Sequence, residues 1–466
     1  MPGQEQACYD KTSENRKVRL NLNSVNLGLF IVFLFLTLMI DWNPLVWKDL
    51  SDPVSYLYQS HLPLFSKEFF FPPKVEPYSP VPFTVPLLFK MASSKPELII
   101  PLQKLIHWLS VFFLAYALAR VIRNKFIALV SMVLLYIAMS WWNILGWTMT
   151  ILSESFQLSI LLCWIASLIL LYRKKNISTF IIHVLFLILL AGTRDQWPYI
   201  LLLIYFILSV YFLFLERKFL TTILILLGLG TGIFFIQQYS ASIGHRYSKP
   251  VINTIVFRIM KNPGYYEWFR KQGMPQADKL YNEFSRANIN IIEHQWWVFG
   301  LYINPEYVPF RHWVDEKGSS AYKKFMLGHP SYFFLLDEKK QDLERLFATD
   351  LVTYIGPRKG YTCHFNKYFP AFHPLFLGFL FIILVILLFR TREFRYFIPI
   401  LLIAITVLNV FLMYNADAME VERHSVLTMI LAQILGIYSM ALIIDGLWPI
   451  QDPGDVKGSC RSPKEQ

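Results

Sequence analysis

Ten apolar runs constrain the fold of this chain more than any other feature. A helix needs roughly 17 to 25 apolar residues to cross the hydrocarbon core of a bilayer. Runs of about this length lie near residues 24–41, 98–119, 126–146, 153–172, 177–192, 197–215, 219–237, 372–389, 396–414 and 424–446. The pattern predicts an all-α polytopic membrane protein with about ten transmembrane helices.

The composition excludes a single soluble domain, because 55% of the residues are hydrophobic and only 16% are charged. The formal net charge of +12 would suggest a nucleic-acid binder if the chain were soluble. Here, however, the short basic clusters lie beside the apolar runs, where Lys and Arg orient helices. We therefore predict no nucleic-acid partner.

The basic clusters also predict the orientation, because Lys and Arg collect in short cytoplasmic loops. If the N-terminus is inside, all the inner loops are basic. Their basic residues are Arg120, Arg123, Lys125, Arg173, Lys174, Lys175, Arg217, Lys218, Arg390, Arg392 and Arg395. The short outer turns contain only Arg194 and Arg423 as Lys or Arg residues. We expect ten spans in the plasma (inner) membrane, with both chain ends in the cytoplasm.

This topology divides the chain into five segments. We expect a retained cytoplasmic leader at 1–23, a transmembrane core at 24–237 with a first outer loop at 43–97, and a small extracytoplasmic domain at 238–371. C-terminal transmembrane helices at 372–446 and a cytoplasmic tail at 447–466 follow. The extracytoplasmic domain thus lies between spans seven and eight.

Motifs for several other chemistries are missing from the sequence. No Cys or His cluster has zinc-site spacing, and no P-loop or dinucleotide-type glycine-rich loop is present. In the predicted topology only Cys363 lies outside, so no extracytoplasmic disulfide forms within one chain. The absence of a P-loop and of a dinucleotide-type glycine-rich loop argues against cytoplasmic ATP hydrolysis.

Charged residues gather on the predicted outer side. Charged groups next to lipid are costly unless they are paired or face a wet cavity, so several at one level predict a polar cavity between spans. Each also has a simpler interpretation: an acid at a helix N-terminus, a local Arg194–Asp195 ion pair, or an i, i+3 pair. The residues are Asp49, Asp52, Glu154, Arg194, Asp195, Asp417, Glu420, Arg423 and His424.

The stretch Trp47–Tyr58, WKDLSDPVSYLY, follows the first span closely and supplies Asp49 and Asp52. Asp52 precedes Pro53, which is also typical of a helix start with Asp as the N-cap and Pro as the first helical residue. The sequence alone leaves both a capping role and a catalytic role open for Asp52.

Three short motifs resemble the GT-C class of membrane glycosyltransferases. They are the Asp52-x-x-x-Tyr56 pattern in the first outer loop, Leu152-Ser153-Glu154 at the outer start of a span, and Arg194-Asp195 before another. The class includes protein O-mannosyltransferases, the lipid A aminoarabinose transferase and lipopolysaccharide galacturonosyltransferase-like enzymes. In the mannosyltransferase-like branch Glu follows the Asp, whereas Pro53 stands in that position here.

The resemblance implies transfer of one sugar from a polyprenyl-phosphate carrier to an extracytoplasmic glycan, lipid or protein, with inversion. Asp52 would be the general base, and Arg194 with Arg423 or His424 would neutralise the lipid phosphate. The remaining candidates for substrate binding are Asp49, Tyr56, Glu154, Asp195, Asp417 and Glu420. No cofactor is certain, although an Asp pair can also bind a divalent cation.

Two other functions fit parts of the pattern. A lipid-linked glycan flippase or transporter would also place ionisable groups among spans, but transporters usually contain repeated halves and helices broken near the midplane. No repeat is visible in this sequence. A polysaccharide polymerase or ligase would use similar lipid-linked substrates but would move a preassembled glycan.

Overall fold

The computed structural model describes residues 21–39, 51–75, 78–215, 217–284, 300–302, 304–334, 374–416 and 421–447. Within these ranges the chain is helical and has no β-strand, only an isolated bridge between Val75 and Tyr78. Seven of the described helices are long and apolar enough to cross a membrane. The chain is therefore an all-α polytopic membrane protein, as the sequence predicts.

The ten predicted spans each coincide with a helix, although three of these helices are short. They are α1 (Leu22–Met39), α2 (Pro96–Ala119), α3 (Lys125–Met139), α4 (Ser153–Lys174), α5 (Ile177–Ala191), α6 (Trp197–Leu215), α7 (Leu220–Ile243), α8 (Pro374–Thr391), α9 (Phe394–Ala416) and α10 (Val421–Leu447). The short apolar helices are α3, α5 and α8. The count of ten spans accordingly stays a prediction.

Two helix boundaries differ from the apolar runs. In the run predicted at 126–146 the α-helix ends at Met139. The chain then forms a short helix, Trp142–Leu145, and a 3₁₀ turn, Gly146–Met149. This apolar turn fills the space beside α2, so its hydrophobicity reflects burial rather than a longer span. The run at 219–237 continues six residues further, because α7 ends at Ile243.

Polar residues fix several helix ends. The Asn124 side chain accepts hydrogen bonds from the backbone N–H groups of Phe126 and Ile127, which caps α3. The Asn176 side chain accepts from Thr179 N at 2.9 Å and caps α5. These caps satisfy donors that a helix start leaves unpaired. The chain therefore turns sharply between antiparallel neighbours.

Contacts between helix termini define two ends of the bundle. At one end, which we call the Arg194 end, the end of α5, the start of α4 and the residues after α7 lie together. The Arg392 end carries the end of α8 and the starts of α1 and α3. The central helix is α4, which packs against α2, α5 and α10 and is 89% buried over its apolar window.

Both long polar segments pack at the Arg194 end. The first, at 43–97, contains the helices Ser51–His61, Lys67–Phe70 and Thr84–Met91. The second, at 238–371, contains Ser248–Phe257, Pro263–Lys271, Ala277–Phe284, Val308–Trp313, Ser319–Gly328 and Pro330–Phe334. These six helices surround a hydrophobic cluster of their own. Ser240 Oγ donates to Phe70 O at 2.9 Å and joins the two segments at the end of α7.

A close approach at Gly192 fixes the first polar segment against the α5–α6 turn. Thr84 N donates to Gly192 O at 3.0 Å, and Thr84 Oγ1 donates to Leu189 O at 2.9 Å. A Cβ at position 192 would lie 2.3 Å from Thr84 Oγ1 and 2.6 Å from the Phe83 ring. Only glycine fits there, so the helix Thr84–Met91 is held directly on the turn that carries Arg194.

A buried polar network joins α4, α5 and α6. Trp164 Nε1 donates to Tyr205 Oη at 3.1 Å, and His183 Nε2 lies 2.7 Å from the same oxygen. His183 Nδ1 is 2.8 Å from Ser167 Oγ, which donates to Trp164 O. Every member has a partner, so the network is stable with a neutral imidazole.

Candidate functional site

Glu154 and Arg194, two of the predicted site residues, form an ion pair at the Arg194 end. Glu154 lies in the first turn of α4, and Arg194 lies in the α5–α6 turn. Arg194 Nη2 donates to Glu154 Oε1, and Arg194 Nε donates to Ser153 Oγ at 3.0 Å. The side chains are 13% (Arg194) and 6% (Glu154) exposed. The structure thus brings these two residues together, and their assignment to substrate binding stays a prediction.

Asp195 has a different partner, Arg246, which the sequence analysis did not single out. Arg246 Nε donates to Asp195 Oδ2 at 3.0 Å and Nη2 donates to Oδ1 at 2.7 Å. Arg246 Nη1 also donates to Ser240 Oγ at 2.9 Å. Arg246 is 3% exposed, whereas Asp195 keeps 26% of its surface. Asp195 is thus the member of this ion pair whose side chain remains accessible.

Tyr247 extends this polar region beyond the end of α7. Its hydroxyl donates to Gln238 Oε1 at 2.7 Å. Burial of the ring, together with the nearby Asp195 charge, raises the pKa of Tyr247 well above its ordinary value. The phenol therefore stays protonated and acts as a hydrogen-bond donor, not as a base.

The α5–α6 turn is also tied to α9 and α10. Gln196 Nε2 donates to Asn409 Oδ1 at 2.9 Å, and Asn409 Nδ2 donates to Thr428 Oγ1 at 3.1 Å. Asn409 and Thr428 are both buried. This chain of amide and hydroxyl groups connects α10 at Thr428 to the turn that carries Arg194.

A further arginine, Arg258, reaches the end of α9 from the 238–371 segment. Its guanidinium lies 3.8 Å from the centre of the Tyr414 ring, and Nη1 donates to Tyr414 O. Arg258 Nε and Nη2 are buried and have no hydrogen-bond partner within the ranges that the structure describes. Tyr322 Oη donates to Asn415 O at 2.7 Å and fixes the same helix end. The N–H groups of these two nitrogen atoms are therefore unused by the described part of the chain.

Tyr56 is part of the core beneath the site. Its ring is 5% exposed and packs edge-on against Phe89, with centroids 6.1 Å apart. Phe89 in turn contacts Phe156 at 5.9 Å, two residues after Glu154 in α4. The position suits a residue that supports the first polar segment against α4.

The structure locates the Asp52 backbone but not its side chain. The described helix spans Ser51–His61 and includes Asp52, and the residues before it lie outside the description. Pro53 follows Asp52 near the start of this helix, where a proline is tolerated. Both roles considered for Asp52 stay open.

Several other predicted site residues lie wholly or partly beyond the described part of the chain. Asp49, Asp417 and Glu420 lie outside the described residues. Arg423 and His424 belong to the first turns of α10, whose side chains there are also outside the description. The predictions that assign these residues to substrate binding are therefore untested.

Two ionisable residues within α2 were also missed. Lys104 is fully buried, with Nζ 3.4 Å from Thr37 O near the end of α1. His107 Nε2 lies 3.1 Å from Met139 O at the end of α3. A lysine inside an apolar span is a signal that the sequence offered, because such residues usually face a bundle interior.

Metal ligation has no support within the described ranges, where no group of three or more His, Cys, Asp and Glu side chains is arranged to hold an ion. What the site offers instead is guanidinium groups and an accessible carboxylate. Guanidinium binds phosphate through two parallel hydrogen bonds, and carboxylates accept hydrogen bonds from sugar hydroxyls. The arrangement is suited to a ligand that combines an anion with hydroxyl groups.

Comparisons with known proteins do not add to this description. No protein-family model matches the chain, and no curated protein matches it either.

Proposed function

We propose that this protein is a GT-C-like membrane glycosyltransferase that moves one sugar from a polyprenyl-phosphate carrier to an extracytoplasmic glycan, lipid or protein. One observation carries the proposal: Glu154, Arg194 and Asp195 gather at one end of a membrane bundle, together with Arg246 and Arg258. A sugar donor that is anchored in lipid requires its site at the membrane boundary. The charged groups lie at the helix ends, where such a boundary would be.

The proposed topology places the Arg194 end outside the cytoplasm. It has ten spans in the plasma (inner) membrane, with both chain ends inside, so that 43–97 and 238–371 are extracytoplasmic. The basic residues at the opposite end support this orientation through their preference for the cytoplasmic side. The contact between the two polar segments agrees with their lying on the same side.

Arg194 and Arg258 are the proposed ligands of the donor phosphate. Arg258 has two N–H positions without protein partners in the described ranges, and a guanidinium fork matches two phosphate oxygens. It contacts Tyr414, which lies five residues beyond Asn409 in α9, or about 7.5 Å along the helix. Arg423 and His424 of α10 complete the cationic set.

The acceptor needs a base and the sugar needs hydrogen-bond acceptors. Asp52 is the proposed general base, which removes the proton of the acceptor hydroxyl or amine as it attacks the anomeric carbon. The lipid phosphate leaves as the sugar–oxygen bond breaks, and the arginines stabilise its charge. Asp49, Asp195, Asp417 and Glu420 are proposed contacts of the sugar, whereas Glu154 orients Arg194 and Tyr56 supports the loop.

The experiment that tests this function compares cells with and without the chain. Mass spectrometry of glycolipids, glycans and glycoproteins should find an acceptor that is one sugar lighter when the gene is deleted, and polyprenyl-phosphate sugar should accumulate. Wild-type protein should restore the product, and the Arg270→Gln variant should do the same, because Arg270 is an exposed residue that contacts only Glu267 among the described carboxylates.

Two outcomes would contradict the proposal. If no molecule differs by a single sugar, the chain does not transfer one. If an entire oligosaccharide is missing from its acceptor, the ligase or polymerase function replaces the transferase proposed here.

A further inference from the structure

A basic cavity lies at the Arg392 end, away from the candidate site. Its volume is about 890 Å³, and its walls come from the start of α1, the α2–α3 loop, the end of α4 and the α8–α9 turn. The lining contains six Arg or Lys residues and one Glu. The basic residues are Arg120, Arg123, Lys125, Arg173, Arg392 and Arg395.

Two of these six cations are neutralised by carboxylates. Arg123 Nη2 lies 2.6 Å from Glu393 Oε1, and Arg395 Nε lies 2.6 Å from Glu393 Oε2. Arg395 Nη1 also pairs with Asp445, whose side chain is 1% exposed. Asp445 further accepts hydrogen bonds from the backbone N–H groups of Arg123 and Asn124. This ion-pair network closes the base of the cavity against α10.

The other four cations have no carboxylate partner among the residues that the structure describes. They are Arg120, Lys125, Arg173 and Arg392. Arg120 lies over the Tyr116 ring, with 5.0 Å to the centroid, and Arg173 lies in the last turn of α4, where the helix dipole favours a cation. Neither contact removes the positive charge. All four side chains are exposed, so solvent screens part of their mutual repulsion, and an anion in the cavity would reduce it further.

The backbone conformation of Arg392 also supports a role for its side chain in the cavity. Its φ is 55°, in the left-handed region that glycine occupies at ordinary helix ends. A residue with a Cβ costs energy in this conformation, although Arg392 N donates to Leu388 O at 2.7 Å and closes the helix end. The cost is offset if the side chain is needed in the cavity.

Orientation of the helices explains basic loops but not this arrangement. Charges that only set topology need to lie near helix ends, as Arg390 and Lys174 do, whereas the four cavity cations, which are also exposed, line one cavity. The lining instead combines cations with the apolar side chains of Leu22, Ile169 and Phe394 and the amides of Asn21 and Asn23. Basic pockets with apolar walls at helix ends suit phosphate-bearing headgroups.

We propose that this cavity binds a phosphate-bearing anion through Arg120, Arg173, Lys125 and Arg392. The phosphate belongs either to the headgroup of an anionic membrane lipid or to a water-soluble phosphate compound. The site is independent of sugar transfer, because it lies at the opposite end of the bundle from Arg194. Its ligand stabilises the fold by drawing α1, α2, α4 and the α8–α9 turn together.

The test uses the purified full-length chain in a neutral detergent at low ionic strength. The unfolding temperature is followed during titration with dihexanoyl phosphatidylglycerol, dihexanoyl phosphatidylcholine or sodium pyrophosphate, with sodium chloride added to match ionic strength. A ligand that binds only the folded state raises the unfolding temperature in a saturable way, which gives an apparent Kd.

Three variants separate the cavity from general charge effects. Arg392→Gly removes a cavity cation and relieves the left-handed backbone, so it should fold as well as wild type. Arg120→Gln removes a second cation. Arg390→Gln is the matched control, because it removes one exposed charge from the same helix end but does not line the cavity.

We expect saturable stabilisation by phosphatidylglycerol or by pyrophosphate and none by phosphatidylcholine. Each cavity variant should weaken binding by about tenfold or more, because it removes a hydrogen bond to a charged group. Response to the lipid alone identifies a membrane headgroup, and response to pyrophosphate alone identifies a soluble ligand. Response to neither probe, an equal response to phosphatidylcholine, or an equal loss in Arg390→Gln would overturn the proposal.

Discussion

Arg246 holds Asp195 through two hydrogen bonds, with Nε 3.0 Å from Oδ2 and Nη2 2.7 Å from Oδ1. The preceding residue in the chain, Arg194, pairs with Glu154 of α4 instead. Two adjacent residues thus fasten the α5–α6 turn in two directions, to α4 and to the segment after α7. The turn is held rigidly while Asp195 stays partly accessible, which suits a residue that contacts a substrate.

The Arg194–Glu154 pair allows structural and functional roles to be separated. Arg194→Ala should lower the free energy of unfolding by about 3–5 kcal/mol, because it leaves the carboxylate of Glu154 without this cation in a buried position. The double variant Arg194→Met/Glu154→Leu should recover most of that loss and still fail in sugar transfer. Unfolding in denaturant and donor turnover measure the two effects. Transfer at the wild-type rate by the double variant would assign Arg194 a purely structural role.

Arg258 should affect donor use more than stability. Arg258→Gln removes the guanidinium fork, and we expect kcat/KM for the polyprenyl-phosphate donor to fall about 10- to 100-fold, since a hydrogen bond to a charged group contributes about 1.5–3 kcal/mol. Arg258→Lys should recover part of the loss. The matched control is Arg270→Gln in the same segment. Equal kinetics for Arg258→Gln and the control would exclude a phosphate contact.

Asp52→Asn tests the general base. An asparagine keeps the capping oxygen but cannot take a proton, so the variant should fold, reach the membrane at normal abundance and lose transfer by about 10²- to 10⁴-fold. Asp49→Asn should lose less. Normal transfer by Asp52→Asn, measured on the same acceptor, would leave capping as the role of Asp52.

The orientation can be tested by cysteine labelling in a chain whose four cysteines are replaced by serine. Lys95, Ser320 and Lys174 are all exposed. Cysteines at positions 95 and 320 should react with an impermeant thiol reagent in intact cells. A cysteine at position 174 should react only after the cells are opened. The reverse pattern would place the Arg194 end in the cytoplasm and remove the basis for a lipid-linked donor there.

The network inside the bundle predicts a change in stability alone. Tyr205→Phe leaves Trp164 Nε1 and His183 Nε2 without their shared partner and should cost about 1–3 kcal/mol. Tyr239→Phe is the control, because Tyr239 is 59% exposed. The unfolding temperatures of the two variants in detergent should differ by several degrees. Equal temperatures would mean that the network does not stabilise the bundle.

The helices could be predicted from the sequence because apolar length is a local property. The prediction was least accurate where part of an apolar run had another use, as at 140–146, where Ile144 and Leu145 fill the core from a separate short helix. Hydropathy does not distinguish an apolar residue that faces lipid from one that faces a neighbouring helix. The structure separates the two, because α3 stops at Met139.

The gathering of charges could be predicted, but their partners could not. Helix alternation brings Glu154, Arg194 and Asp195 to one end, and this follows from counting spans. Whether Arg194 pairs with Asp195 or with Glu154 depends on how the turn packs on α4, which no local pattern records. Arg258 was missed although it stands in an apolar stretch, Val251–Met260, and a lone arginine there was a usable signal.

As a predicted span, α5 is shorter than the hydrocarbon core of a typical bilayer. Its 15 residues extend about 22 Å, whereas the hydrocarbon core of a typical bilayer is about 30 Å thick. Ile181 and Leu185 on its outer surface are more than half exposed and suited to acyl chains. If α5 spans the membrane, as the sequence predicts, thinning of the bilayer beside it would draw headgroups inward on that flank. Membranes of short-chain lipids should accommodate the protein with the least distortion, and lipid phosphates would there lie closest to the level of the α5–α6 turn.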